Sequence, residues 1–136
     1  MRRISRTVLA SLAAMLLLSG CSWLGTSYAI LDREAEAGDE LPSLTDAGEI
    51  DIDPATSRFV GERDGVGFWL GRTTNVGQVC ILVYPNDTDW VIGCGSEGGE
   101  FGVSGRVPGV YSVVPDGAPI PDDATRLFDN VYVVGN

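Results

Sequence analysis

Histidine and lysine are both absent from the 136 residues, and each absence removes a body of chemistry. Without histidine there is no Ser-His-Asp or Cys-His nucleophilic apparatus, and no imidazole to hold zinc, copper or haem iron. Without lysine there is no Schiff-base chemistry and no Ser-Lys pair. Cysteine is scarce, at three residues, and the long apolar runs are confined to Val8–Leu18, interrupted only by Ser11. Eleven residues are too few for a bilayer core, which needs about 20 in a helix. Positive charge is also short: nine arginines face 19 acids, a balance that argues against nucleic acid as a partner. The gaps together predict a protein with no cofactor and no metal, and a non-enzymatic one.

What is present begins at the amino terminus. Arg2, Arg3 and Arg6 precede the apolar run, and Leu18-Ser19-Gly20-Cys21 closes it, the layout of a secretory signal with small residues beside a thiol. These first 21 residues resemble the signal and lipobox of bacterial lipoproteins. The resemblance implies a diacylglyceryl group on Cys21, cleavage of the bond before it, and acylation, commonly with palmitate, of the new amino terminus. Two or three chains would give stable anchoring at about 0.8 kcal/mol per buried methylene. The expected location is therefore the cell membrane, lipid-anchored on the extracytoplasmic face.

With Cys21 assigned to lipid, Cys80 and Cys94 remain, and an exported domain lies where two thiols are expected to pair. Gln78–Tyr84 is rich in β-formers, Pro85–Asp89 is dense in turn formers, and Trp90–Cys94 is β-rich again, which reads as a hairpin. With the five turn residues as its loop, Tyr84 faces Trp90, Leu82 faces Ile92 and Cys80 faces Cys94, all on one side. Opposed antiparallel residues are close enough for a disulfide. Closing a loop of about 15 residues would contribute about 3 kcal/mol through chain entropy.

The processed chain divides near Pro54 in this reading. Residues 22–53 carry nine acids against Arg33 and show no sustained apolar period, so residues 21–53 are expected to be a lipidated cysteine followed by a disordered acidic tether. A coil of about 32 residues reaches about 30 Å. A helix over Tyr28–Glu40 is the rival reading, limited by Gly38 and Pro42. Residues 54–136 show short β-prone runs at Gly67–Gly71, Gln78–Tyr84, Trp90–Cys94, Glu100–Ser104, Val110–Val114 and Asn130–Val134, with a helical turn expected at Ala55–Val60. The predicted class is mainly β: a small antiparallel meander, sandwich or barrel with one disulfide-pinned hairpin.

Candidate sites are few. Gly93, Gly95 and Gly98 match the spacing of the dinucleotide fingerprint G-x-G-x-x-G, but Glu97 and Glu100 add negative charge, and Gly98 and Gly99 break helix, where a helix must open to hold pyrophosphate, so a glycine-rich connection is expected. Asn86-Asp87-Thr88-Asp89, Asp51–Asp53 and Asp122-Asp123 offer oxygens of the kind calcium takes, yet match no calcium loop and are expected to be solvated turns. The aromatic residues fall in or beside predicted strands, where packing is their first role. Tyr84 and Trp90, flanking the hairpin loop on one face, are the candidate binding patch.

Ser57–Gly61, Phe68-Trp69-Leu70, Val79–Val83 and Cys94 form a pattern loosely similar to small actinobacterial envelope lipoproteins, over about half of the processed chain. That similarity brings no activity with it. The expected function is a non-catalytic binding or structural module of the cell envelope, with the membrane and another envelope protein or wall component as partners. The alternative is a small hydrolytic or metal-dependent envelope enzyme.

Overall fold

The structure is a computed structural model that describes residues 28–135. The signal segment and Cys21 lie outside the described residues. Eight strands form two four-stranded antiparallel sheets. The first is a meander of β1 (Arg58–Arg63), β2 (Val66–Arg72), β3 (Gln78–Tyr84) and β4 (Val91–Ser96). The second holds β5 (Phe101–Val103), β6 (Tyr111–Val113), β7 (Ala124–Phe128) and β8 (Val131–Val134) in the order β5-β6-β8-β7.

Local chemistry accounts for the tightest connections. Asp64 and Gly65 join β1 to β2 with φ of +53° and +79°, the pair of positive angles a two-residue hairpin turn requires and an Asp-Gly sequence supplies. Asp129 and Asn130 join β7 to β8. Asn130 adopts φ +65°, and its side-chain amide donates to the carbonyl of Val114 and to Asp116 Oδ1, tying that turn to the end of β6.

The Cys80–Cys94 hairpin has the expected register: Cys80 opposes Cys94, Leu82 opposes Ile92, and the disulfide is formed with Cα atoms 4.0 Å apart. Two expectations fail nearby. The helical turn at Ala55–Val60 shrinks to a 3-10 turn at Pro54–Thr56, capped by the Asp53 carboxylate accepting from the Ala55 amide, and the chain is already a strand at Arg58. Pairing with β2 overrides the local signal. Gly95, expected in a glycine-rich connection beyond Cys94, instead extends β4.

Glycines of β4 explain how the sheets close. A Cβ on Gly93 would lie 2.8 Å from Val103, and one on Gly95 would lie 2.5 Å from Phe101, so β4 approaches β5 only because both positions lack a side chain. At the opposite seam the Phe128 ring of β7 fills the space above Gly61 of β1, 2.4 Å from where a Cβ would sit. The result is a flattened, nearly closed sandwich. Phe68 sits at its centre, with Tyr111 edge-on at 5.0 Å and Phe128 at 5.6 Å, among Leu70, Ile81, Val113 and Val131.

Residues 28–53, expected as most of a disordered tether, are instead built into the fold. Tyr28 and Leu31, on a single helical turn at Ala29–Asp32, are buried in the central core. Beyond Asp39 the chain straps the outer face of the first sheet, where Leu41, Leu44, Ile50 and Ile52 pack on Leu82, Trp69, Tyr84 and Cys80. Ile52 bridges to Thr73, and Asp53 N–H donates to the carbonyl of Arg72. The folded unit therefore does not begin at Pro54. Apart from the buried Asp39 and the half-buried Asp53, the acids of this segment are exposed while irregularly spaced apolar residues turn inward, a pattern with neither helical nor strand period. Strand β3 is consequently covered on both faces, with Val79 through Val83 fully buried.

Candidate functional site: a cleft at the hairpin pole

The strand pairings give the sandwich two dissimilar poles. At one lie Ala29–Asp32, the β2–β3 turn and the ends of β4 and β6. Arg72, the last residue of β2, donates to the carbonyl of Leu31 and to Asp32 and Glu97, and the Ala29 amide donates to Asp116 Oδ2 at 2.7 Å. At the other lie the Asp64-Gly65 turn, the β3–β4 loop and the β5–β6 loop.

A cleft of about 370 Å³ opens between the sheets at this second pole. Its apolar floor consists of Val66, Phe68, Leu127 and Val133, and its rim carries Arg63, Asp64, Thr125 and Tyr111 beside Pro108. The volume lies in the range of small-ligand sites, roughly 300–1,000 Å³, and the pairing of apolar lining with a few convergent polar groups is what such sites share. Arg63 and Asp64 are only 3.9 Å apart and both solvent-facing, so the rim offers a cation and an anion loosely paired. Burial, followed by the nearby Asp64 charge, pushes the Tyr111 phenol above its usual range, so it stays a neutral hydrogen-bonding group at physiological pH. The arrangement suits holding a largely apolar body by its polar end. Phe68 and Tyr111 were expected in packing roles, and the other lining residues stood among no sequence-level candidates. The Asp64-Gly65 dipeptide was the available signal, because it marks a hairpin that must place Arg63 and Val66 at a sheet end.

At the expected patch of Tyr84 and Trp90, the strap covers much of both rings. Tyr84 packs edge-on to Trp69 at 6.0 Å, Trp90 donates its indole N–H to the carbonyl of Thr45, and both are half-buried beneath residues 41–52. Trp90 retains one open edge, in a polar notch of about 320 Å³ shared with Asp46, Thr88 and Arg106. The acidic loop next to it is internally satisfied: Asn86 Oδ1 accepts from Thr88 N–H, Thr88 Oγ1 and Asp89 N–H. Among the described residues, no group of three or more acidic or cysteine side chains is placed to hold a metal ion. Cys80 is completely buried under the strap while Cys94 is exposed at the sheet edge.

A second polar cluster locks the amino-terminal segment in place. The Asp39 carboxylate, almost fully buried, takes both Arg33 Nη1 and Nη2 at 2.6 Å and the amides of Glu36 and Phe59 at 2.7 Å. The Arg33 guanidinium, then the two amides, hold its pKa well below the usual carboxylate range against the opposing effect of burial. The Asp39 carbonyl accepts from Ser57 Oγ, and the buried Arg58 guanidinium donates to the carbonyls of Arg33, Ser57 and Ala55. This cluster is a clamp, and its atoms are consumed by the fold.

No protein-family model matches the chain, and comparison with curated proteins and with solved structures finds no match either.

Proposed function

We propose that the protein is a membrane-anchored extracytoplasmic lipoprotein acting as a non-catalytic binding module of the cell envelope, with the hairpin-pole cleft as its ligand site. The single observation that carries the binding role is that cleft: an apolar floor ending in Phe68, under a rim of Arg63, Asp64, Tyr111 and Thr125. Support for the anchor comes from Leu18-Ser19-Gly20-Cys21 behind an arginine-led apolar segment. Support for an extracytoplasmic location comes from the disulfide, which persists in oxidising compartments. The ligand class that fits is a small molecule, or the end of a larger one, with an apolar body and one polar terminus. The partner is then a component of the envelope or wall that displays such a group.

Two measurements test this reading. Fatty-acid analogue labelling in a bacterial host should mark the wild type and leave Cys21→Ala unmarked, and label surviving the substitution would defeat the anchor. For the cleft, 8-anilinonaphthalene-1-sulfonate serves as a probe with an apolar body and an anionic end. Saturable binding is expected, weakened at least tenfold in Val133→Trp, which fills the cleft, with the melting midpoint kept within a few degrees. Equal binding by a folded Val133→Trp would remove the cleft as the site.

A further inference from the structure

The burial of Tyr28 fixes how far the folded domain can stand from a lipid anchor. Only six residues, 22–27, separate Cys21 from Tyr28, and Tyr28 has no exposed surface while Ala29 is bonded to Asp116. Seven Cα-to-Cα steps of about 3.3–3.6 Å limit the span to about 25 Å. The chain leaves the sandwich at the pole built from Ala29–Asp32, Arg72 and Asp116, whereas the cleft lies at the other end of β2, where Val66 begins the strand that Arg72 ends. Six steps along β2, from Val66 to Arg72, put the poles about 20 Å apart.

We infer that the domain faces the bilayer with its Tyr28 pole and presents the cleft away from the lipid, a polarity favoured because a flipped domain would stretch the short linker close to its full length. The inference rests on lipidation of Cys21. Its partner is the lipid surface, met through the anchor rather than by adhesion. Asp32, Glu97 and Asp116 ring the Tyr28 pole and outnumber Arg72, so anionic headgroups repel it within a Debye length of about 8 Å at physiological salt. The polarity also fits the proposed function, because a cleft pressed against headgroups would be closed to an envelope ligand.

The test uses the full-length, lipid-bearing protein in phospholipid vesicles. Val76→Cys places a fluorescent donor on the fully exposed β2–β3 turn, and Ser104→Cys places one on the exposed β5–β6 loop beside the cleft. Both leave the disulfide and the cleft lining intact. Energy transfer to acceptor lipids should be at least threefold stronger from position 76 than from position 104. Inserting 20 Gly/Ser residues after residue 27 should bring the two positions to within a factor of 1.5. Equal transfer in protein that co-floats with vesicles would overturn the polarity while leaving the anchor intact. Failure to co-float would overturn both the anchor and the inference. Co-floatation of an unlipidated chain beginning at Ser22 would show adhesion instead of tethering and would overturn it too.

Discussion

Asp39 shows at the residue scale how one carboxylate can hold a segment that composition marks as disordered. It satisfies a bidentate arginine and two amides from separate stretches of chain, while its partner Arg33 is one-third exposed, which softens the desolvation cost. Asp39→Asn should therefore cost about 2–3 kcal/mol at pH 7, read by urea unfolding. The pH dependence has a definite sign. A carboxylate with a depressed folded-state pKa contributes fully above its unfolded value, 3.8, and the contribution fades as pH falls toward the folded value. The gap between wild type and Asp39→Asn should be constant above about pH 5 and should narrow steadily down to pH 2. A gap that is flat over that range would mean that the carboxylate's charge does not clamp the segment. Tyr28 makes the converse case. Its hydroxyl is buried with no hydrogen-bond partner, and burial, aided by Glu97 and Asp116, raises the phenol far above its ordinary pKa. Tyr28→Phe should consequently be neutral or stabilising by about 1 kcal/mol, whereas Tyr28→Ala should cost about 3–5 kcal/mol as a cavity in the core. Thermal melts of both variants at one pH separate the two contributions.

At the scale of elements, the strap and the disulfide hairpin act on the same sheet. Leu41, Leu44, Ile50 and Ile52 cover the outer face on which Cys80 lies, so β3 has a packed layer on either side. A chain beginning at Pro54 would expose both that face and the pocket left by Tyr28 and Leu31. It should melt at least ten degrees below the chain beginning at Ser22, or fail to melt cooperatively, and matching midpoints would show that the strap is dispensable. Replacing both Cys80 and Cys94 by alanine should cost about 3 kcal/mol, seen as a lower denaturation midpoint with secondary structure retained in the absence of denaturant. The hairpin was legible in the sequence because register and cysteine spacing gave the same answer independently. The strap was not, because its apolar residues contact the sheet at points set by the sheet's own side chains and follow no period of their own. The unbroken apolar run Val79–Val83 was the one available hint, since a strand with a single buried face alternates.

At the scale of the whole molecule, the chain from Cys21 onward carries six arginines and 19 acids, a net charge of −13. Three of those arginines, Arg33, Arg58 and Arg72, are committed to holding the amino-terminal segment on the sandwich. Long-range repulsion among the remaining charges opposes compactness, and salt screens it beyond about 10 Å at 0.1 M. The melting midpoint at pH 7 should rise by several degrees between 10 mM and 0.3 M sodium chloride, and the gain should shrink near pH 4 as carboxylates protonate. A fall on adding salt would show that the Arg33 and Arg72 ion pairs outweigh the general repulsion.

Sequence alone determined the β class, six of the eight strands, the pairing of Cys80 with Cys94 and the chemistry closed to a chain without histidine or lysine. All of these rest on local signals: β-propensity, turn residues, a two-residue side-chain period and the presence or absence of a residue type. Tertiary structure decided the rest. β1 and β7 became strands because β2 and β8 were there to pair with them, and Gly61, Gly93 and Gly95 acquired a purpose only when two sheets closed over them. Tyr84 and Trp90 were covered by a strap that has no local signature, and the cleft arose where Arg63, Tyr111 and Thr125, distant in the chain, reach the same pole. The physical reason is common to all of them: burial and close approach depend on what lies across from a residue in space, and the sequence records only its neighbours along the chain.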